Sequence, residues 1–505
     1  MPSVRRTLSQ AALSESNRSH VLHHLYRNGV SSRAQIARAL NLTPAAITKI
    51  TARLLDDGLI AKTPMHGQTQ PPVQRDGTVD ENAPHPSMTA PRSVSSGRSV
   101  GLTIRSHAFH VIGVKFARSL LQLGTFDLDG NQLSLEDLPT VTEKTIDESL
   151  TTLRRRMNDL IKEDDAIVSI GMAVPGPYLR TEGRTAVVSS MNSWRRINFR
   201  ERFEEGSSVP VFIEQDARAG ALAESLFSTQ HQTLGGRVDR TPEDDRANFP
   251  APSRDCDSYE DEDAENLAYY LLGEGVGLGV IENGRLLDGY MGTATELGHI
   301  SIDIEGRPCE CGNFGCLEQY CSAVATHKIM QEHGYPGIAG LSHREACERL
   351  FADATDANQP LKGMALDIID QVGRYAGYGC VTIINAYNPK HIIVGDILSH
   401  AGTRLLDAIN EVVRERVVEQ VRASTSIALS SLPTDSAVSG AAAVAITAFL
   451  DNPSRFIHKH GRSRGPDCER APAEESRRHA LTDVRDGEQQ DFPYLGNNSS
   501  QNQNQ

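Results

Sequence analysis

Apolar positions recur every three to four residues over residues 17–65 and then fall into short unbroken runs, so the pattern predicts a small helical unit followed by an α/β body. Val21, Leu22 and Leu25 form one stripe, closed by the turn at Asn28-Gly29. Ile36, Ala37 and Leu40 form the next, behind a cap at Ser31 or Ser32. Asn41-Leu42 turns the chain. Thr43 then caps a third helix with Pro44 in its first turn, where a missing N–H costs nothing, and Ile47, Ile50, Leu54 and Leu55 mark its buried side. Asp57-Gly58 ends that helix and Leu59-Ile60-Ala61 opens a strand. Two short helices about a tight turn, an amphipathic helix and a strand predict a winged helix-turn-helix, with the wing's return strand at 100–104.

Beyond residue 110 the runs predict strands at 111–116, 120–127, 166–173, 209–213, 267–272, 390–395 and 426–432. Helices are predicted at 146–162, 323–333, 343–352, 364–386, 405–419 and 437–450. Gly273 to Ile281 forms a glycine-rich hairpin ahead of a tight turn at Asn283-Gly284. Three stretches break the pattern. Residues 66–99 are rich in Pro, Gly, Ser, Thr and Gln and are expected to be a disordered wing insertion or linker; 228–265 are strongly acidic and are expected to be a disordered loop; 451–505 are expected to be a disordered polar tail. The expected division is therefore a DNA-binding unit at 1–65 and an α/β body at 100–450.

Charge sharpens the first unit. The chain of 505 residues has a net charge of −14, which argues against non-specific adhesion to nucleic acid by the whole molecule. Residues 1–62 nevertheless carry nine Lys or Arg against three acids. Arg33, Thr43, Ala45, Ala46, Thr48, Lys49 and Arg53 are the candidate DNA-contacting residues. Small residues let a helix sink into the major groove, and Thr48, Lys49 and Arg53 reach base edges or phosphates. The alternative is a basic helical bundle that binds protein. A recognition helix this short reads few bases, so the expected partner is a double-stranded, pseudo-palindromic operator bound by a homodimer or homotetramer. No apolar run approaches the ~20 residues of a membrane span, the N-terminus lacks a signal-peptide core, and the cysteines are few; no membrane association and a cytoplasmic, reduced location are expected.

The densest chemistry lies between Glu296 and Ser322. His299, Cys309, Cys311 and Cys316 follow the spacing H-x9-C-x-C-x4-C. Three thiols and an imidazole make a closed tetrahedral set suited to a structural Zn2+. The alternative is a thiol cluster without metal. Cys-x-Cys is a poor loop for a disulfide. Glu296 and Glu318 bracket the cluster, where a zinc knot would hold both acids against one wall of a pocket.

The run E-x-G-H followed by C-x-C-G-x-x-G-C-L-E resembles the ROK family of repressors and sugar kinases, and R-x-x-I-A-x-x-L-x-L-T-x-x-x-I-T from Arg33 to Thr48 resembles the N-terminal domain of its repressors. The resemblance implies a two-lobed actin-like ATPase fold with a sugar in the cleft. It places a sugar contact at Asp216, with Gln215 beside it; Asn192, Glu296, His299 and Glu318 are further candidate sugar contacts because they can pair with hydroxyls, and Trp194 either covers a sugar face or is packing. Gln215 stands where the family usually has Asn, and Thr295 where it has Gly. The kinase machinery is altered: Lys115 stands at the acidic Mg2+ position, Ala117, Arg118 and Ser119 at Gly-Gly-Thr, and Gly395-Asp396 at Gly-Gly. The expected function is a sugar-responsive DNA-binding regulator, a repressor released from or loaded onto its operator by a sugar or sugar phosphate. A sugar kinase and a scaffold for a transport protein are the alternatives.

Overall fold

The computed structural model describes residues 10–64, 100–117, 121–139, 141, 144–186, 196–228, 266–432 and 436–457. Its N-terminal unit contains α1 (Gln10–Asn28), α2 (Arg33–Ala39), α3 (Pro44–Asp56), β1 (Ile60–Pro64) and β2 (Val100–Ile104). Ser32 is the cap of α2: its hydroxyl accepts from Gln35 N while the Gln35 side chain accepts from Ser32 N. Thr43 caps α3 through Ala46 N. Strands β1 and β2 pair antiparallel from Ile60↔Ile104 to Pro64↔Val100, completing a winged helix-turn-helix. Residues 100–104 are thus the wing's return strand, as the pattern predicts. The insertion expected at 66–99 lies outside the described residues.

The body consists of two five-stranded sheets with matching topology. The first holds β3 (His110–Phe116), β4 (Leu121–Asp127), β5 (Gln132–Leu138), β6 (Ile167–Val174) and, after the small ribbon of β7 (Tyr178–Leu179) and β8 (Arg184–Thr185), β9 (Val211–Gln215). Its order is β5-β4-β3-β6-β9, an antiparallel meander extended by two parallel strands. The second sheet repeats this plan with β10 (Leu267–Leu272), β11 (Val276–Glu282), β12 (Arg285–Leu286), β13 (His391–Gly395) and β14 (Ser426–Leu429), in the order β12-β11-β10-β13-β14. Helices α4 (Ile146–Glu163), α5 (Phe199–Glu204) and α6 (Asp216–Phe227) accompany the first lobe. The helices Ala323–Glu332, His343–Thr355, Lys362–Tyr387 and Thr403–Arg416 carry the second. This is the two-lobed, actin-like architecture.

Two departures from the sequence pattern have local causes. Strand β9 starts at Val211, past Pro210, which lacks a donor for the ladder, and runs on through Glu214 and Gln215, which pair with Ala173 and Val174 of β6; Asp216 then opens α6. Strand β5 was not anticipated, because as an edge strand it is largely exposed and mostly polar or acidic.

The helix Ser436–Asp451 packs closely on the first sheet. A Cβ at Gly171 would fall 1.8 Å from the Ala441 carbonyl oxygen, so only glycine permits that approach. Its outer side belongs to an apolar cluster that also contains Val21, Leu22, Leu25 and Ile36 of the N-terminal unit, together with Phe126, Val438, Ala442 and Phe449. The N-terminal unit and the first lobe thus share one hydrophobic core. The polar tail expected from Asp451 does not begin there: Ser454–Ile457 is helical and Phe456 is buried, its ring 5.3 Å from that of Phe449. Phe456 and Ile457, a lone apolar pair in a polar stretch, gave too little signal to mark that turn.

Candidate functional site

The cleft between the lobes opens at the carboxyl ends of β6, β9 and β13, where open α/β sheets bind ligands. It holds a cavity of about 80 Å³ and is lined by residues that include Gln215, Asp216, Glu296, His299 and Glu318 together with Lys115, Arg344 and Asp396. Five of the six residues expected to contact a sugar are thereby brought together. Asn192 lies outside the described residues, as do Trp194, Arg118 and Ser119.

Each cleft acid is placed by its backbone. Asp216 stands at the first position of α6, its Oδ1 accepting from Ala217 N. Glu318 starts a helical turn and its Oε2 accepts from Val276 N at 3.1 Å; Gly275 leaves the room, since a Cβ there would lie 2.7 Å from that oxygen. Glu296 follows Thr295, which holds a φ of 71° with its hydroxyl bonded to the Leu278 carbonyl. Gln215 Nε2 is 3.4 Å from Glu296 Oε1. Burial, and then the negative charges of Asp216 and Glu318, push the Glu296 carboxyl up to about 7; Arg218 and the Gln215 amide oppose this. A carboxyl in that range is partly protonated near neutral pH, and its protonated form can donate a hydrogen bond as well as accept one.

Sequence reasoning missed the network beneath these residues. Arg218 is fully buried; its Nε donates to Glu214 Oε1 at 2.9 Å, and its other nitrogens bond the Leu287 carbonyl and Asp288. Arg180 bridges Glu214 and Asp288 from the side. The end of β9 is thus fixed to the loop that leads to Glu296. The available signal was an arginine inside a run of alanines and glycine (Ala217 to Ala223), a place where a charge needs partners.

His299, Cys309, Cys311 and Cys316 converge as their spacing predicts, with all four ligand atoms within 4.8 Å of one another. Cys309 Sγ is 3.8 Å from His299 Nδ1, and Cys311 Sγ is 3.7 Å from Cys316 Sγ. Metal–sulfur bonds of about 2.3 Å in a tetrahedron put two sulfurs about 3.8 Å apart, so the group could hold a metal ion. Gly312 and Gly315, at φ 94° and 65°, make the turns, and Asn313 Nδ2 and Gln319 Nε2 donate toward Cys316 and Cys309 sulfur. The described cysteines Cys321, Cys347 and Cys380 are buried apart from this group.

On the N-terminal unit, Thr43, Ala45, Thr48, Lys49 and Arg53 are exposed along α3, and Ala46 is half-buried. Arg33 is also half-buried and donates from Nε to Thr51 Oγ1 at 2.8 Å, which ties α2 to α3. Among the described residues, no helix is long and apolar enough to cross a membrane.

The family model described as "ROK family" matches residues 111–234 and 247–448, and that described as "MarR family" matches residues 15–67. The chain is 26% identical over 431 residues to the DNA-binding transcriptional dual regulator NagC of Escherichia coli strain K12, covering 84% of this chain and 90% of that protein. It is 25% identical over 448 residues to the xylose repressor of Bacillus spizizenii, covering 88% and 98%. A crystal structure described as a ROK family transcriptional regulator, homolog of the E. coli MLC protein, superposes with a TM-score of 0.64 at 24% identity, covering 88% of this chain and 99% of that one.

Proposed function

This chain belongs to the ROK family, and on that premise we propose that it is a sugar-responsive DNA-binding transcriptional regulator, a repressor whose operator affinity is set by a sugar or sugar phosphate in the interlobe cleft. The observation that carries the reading is the union, in one chain, of a basic winged helix-turn-helix with a cleft of hydroxyl-binding groups, joined by a common apolar core. The names of the relatives, a dual regulator and a xylose repressor, support it over a kinase.

In this reading α3 enters the major groove, with Ala45 and Ala46 against the bases and Thr48, Lys49 and Arg53 reaching base edges or phosphates. One such helix reads too few bases for specificity, so the protein acts as a homodimer or homotetramer on a pseudo-palindromic operator. His299, Cys309, Cys311 and Cys316 hold a structural Zn2+, for which three thiolates and an imidazole are a suitable donor set. Asp216, Glu296 and Glu318 accept from sugar hydroxyls, while Asn192 and Gln215 donate and accept. His299 stands at both sites. With Nδ1 turned to the knot, its second nitrogen is available to a hydroxyl, which links the effector to the metal loop.

The test is a thermal-shift screen of sugars and sugar phosphates followed by operator binding with the best ligand. A ligand at about 100 times its dissociation constant adds about 2.7 kcal/mol. Asp216→Ala should lose the shift and the operator response while retaining metal and DNA binding. A variant that responds to the same ligand at the same concentration would place the effector elsewhere.

A further inference from the structure

Two of the departures from the kinase pattern, Lys115 and Asp396, are 281 residues apart in the chain and meet in the fold. Lys115 comes from β3 of the first lobe, and Asp396 directly follows β13 of the second. The ammonium is 3.5 Å from Asp396 Oδ2, with only 3% of the lysine side chain and 8% of the aspartate side chain exposed. Arg344, near the start of the second-lobe helix His343–Thr355, approaches the other oxygen at 3.7 Å and so turns Oδ2 toward Lys115.

We propose that Lys115 and Asp396 form an interlobe latch, an ion pair that fills the part of the cleft where a kinase relative would anchor Mg2+ and phosphate and that holds the two lobes at one angle without a nucleotide. Burying either charge alone is costly, and the pair compensates only while the lobes stay together. With the lobes apart, both groups are hydrated and an exposed pair gains little. The pair therefore has two discrete states, closed and paired or open and solvated, and adds specificity for one geometry rather than general stability.

The backbone of Asp396 points the same way. It sits at φ 70° and ψ −159°, a region that favours glycine. A strained conformation persists only where its surroundings fix it. Ile397 N donates to Asp396 Oδ1 at 2.7 Å, and Ser399 donates to the Asp396 carbonyl from both N and Oγ. The side chain is thereby aimed across the cleft.

The latch is tested on the full-length protein with no ligand or DNA added, so the outcome does not depend on the regulator reading. Lys115→Met, Asp396→Asn and the double variant are compared by amide hydrogen exchange in peptides covering 172–179 and 271–278, the two cleft walls, and in the N-terminal core, with melting temperature measured alongside. All three variants should exchange at least tenfold faster than wild type at both walls and unchanged in the N-terminal core. The single variants should melt lower, and the double variant, which removes both members of the pair and leaves only the partly exposed Arg344 beside a neutral side chain, should recover part of that loss in melting temperature but none of it in exchange. A pair that only balances charge would restore both, and a double variant with wild-type wall exchange overturns the latch. Because the double variant is charge-balanced, it decides the matter even if a single variant fails to fold.

Discussion

Glu224 lies near the end of α6, fully buried, with one oxygen accepting from Ser430 Oγ at 2.5 Å. Burial pushes its carboxyl from 4.5 up to about 7, against the opposing bonds from Ser430 and Ser228. The folded protein therefore holds a proton that the unfolded chain releases between those two values. The associated stability is full below pH 4.5 and is lost as pH rises through about 7. Replacing Glu224 with Gln removes this titration. The stability difference, variant minus wild type, should rise by on the order of 3 kcal/mol between pH 4 and pH 8 in denaturant unfolding. A difference flat across that range would mean that the folded Glu224 titrates as it does in the unfolded chain. Glu296 shifts by a similar amount, but two of its causes are neighbouring carboxyls, so Asp216→Asn should lower its pKa, and Glu224 offers the cleaner measurement.

At the scale of elements, the Cys/His knot and the recognition helix make separable predictions. Cys311→Ser removes one of four ligands, so elemental analysis of reduced protein should fall from one zinc per chain to well below one, and a chelator should destabilise wild type but not the variant. Wild type purified without zinc would remove the metal from this account. Lys49 is exposed on α3. Lys49→Ala should weaken operator binding, and if its contact is to phosphate the slope of log K against log salt should drop by about 1. The knot was legible in the sequence because its four ligands lie within eighteen residues and their chemistry is specific. Helix α3 was legible because cap, proline and periodicity agree. What escaped depends on distant partners: Arg218 reaches Asp288 across 70 residues and Lys115 reaches Asp396 across 281, and no local pattern encodes either pairing. Strand β5 escaped because an exposed edge does not carry the apolar signal of a central strand.

In the whole molecule, the recognition helix can report on the cleft only if it is rigidly joined to a part that moves. The structure attaches it to the first lobe in three ways. The apolar cluster runs from Val21, Leu22 and Leu25 into Val438, Ala442 and Phe449. Tyr26 donates to the Leu128 carbonyl at 2.7 Å. Arg18, 3% exposed, donates to Asp57 at 2.5 Å and to Ser454 Oγ at 2.8 Å, while Glu15 accepts from Ser454 N. The contact between the N-terminal unit and the C-terminal turn at Ser454–Ile457 is thus centred on one buried arginine. A change in lobe angle would then carry the recognition helix along with the first lobe, and in a dimer it would alter the spacing of two such helices against a fixed operator. An effector must favour one angle by about 1.4 kcal/mol to change operator affinity tenfold. Arg18→Met keeps the apolar stem but leaves Asp57 and Glu15 without their cation, which should cost on the order of 3 kcal/mol of stability in the N-terminal unit. Operator affinity should fall at least tenfold, and the ligand should lose its effect on whatever binding remains. Metal content and the ligand-induced thermal shift of the body should stay at wild-type values, because neither site touches this junction. If Arg18→Met bound the operator and answered the effector as wild type does, the signal would have to reach DNA by a route other than this shared core.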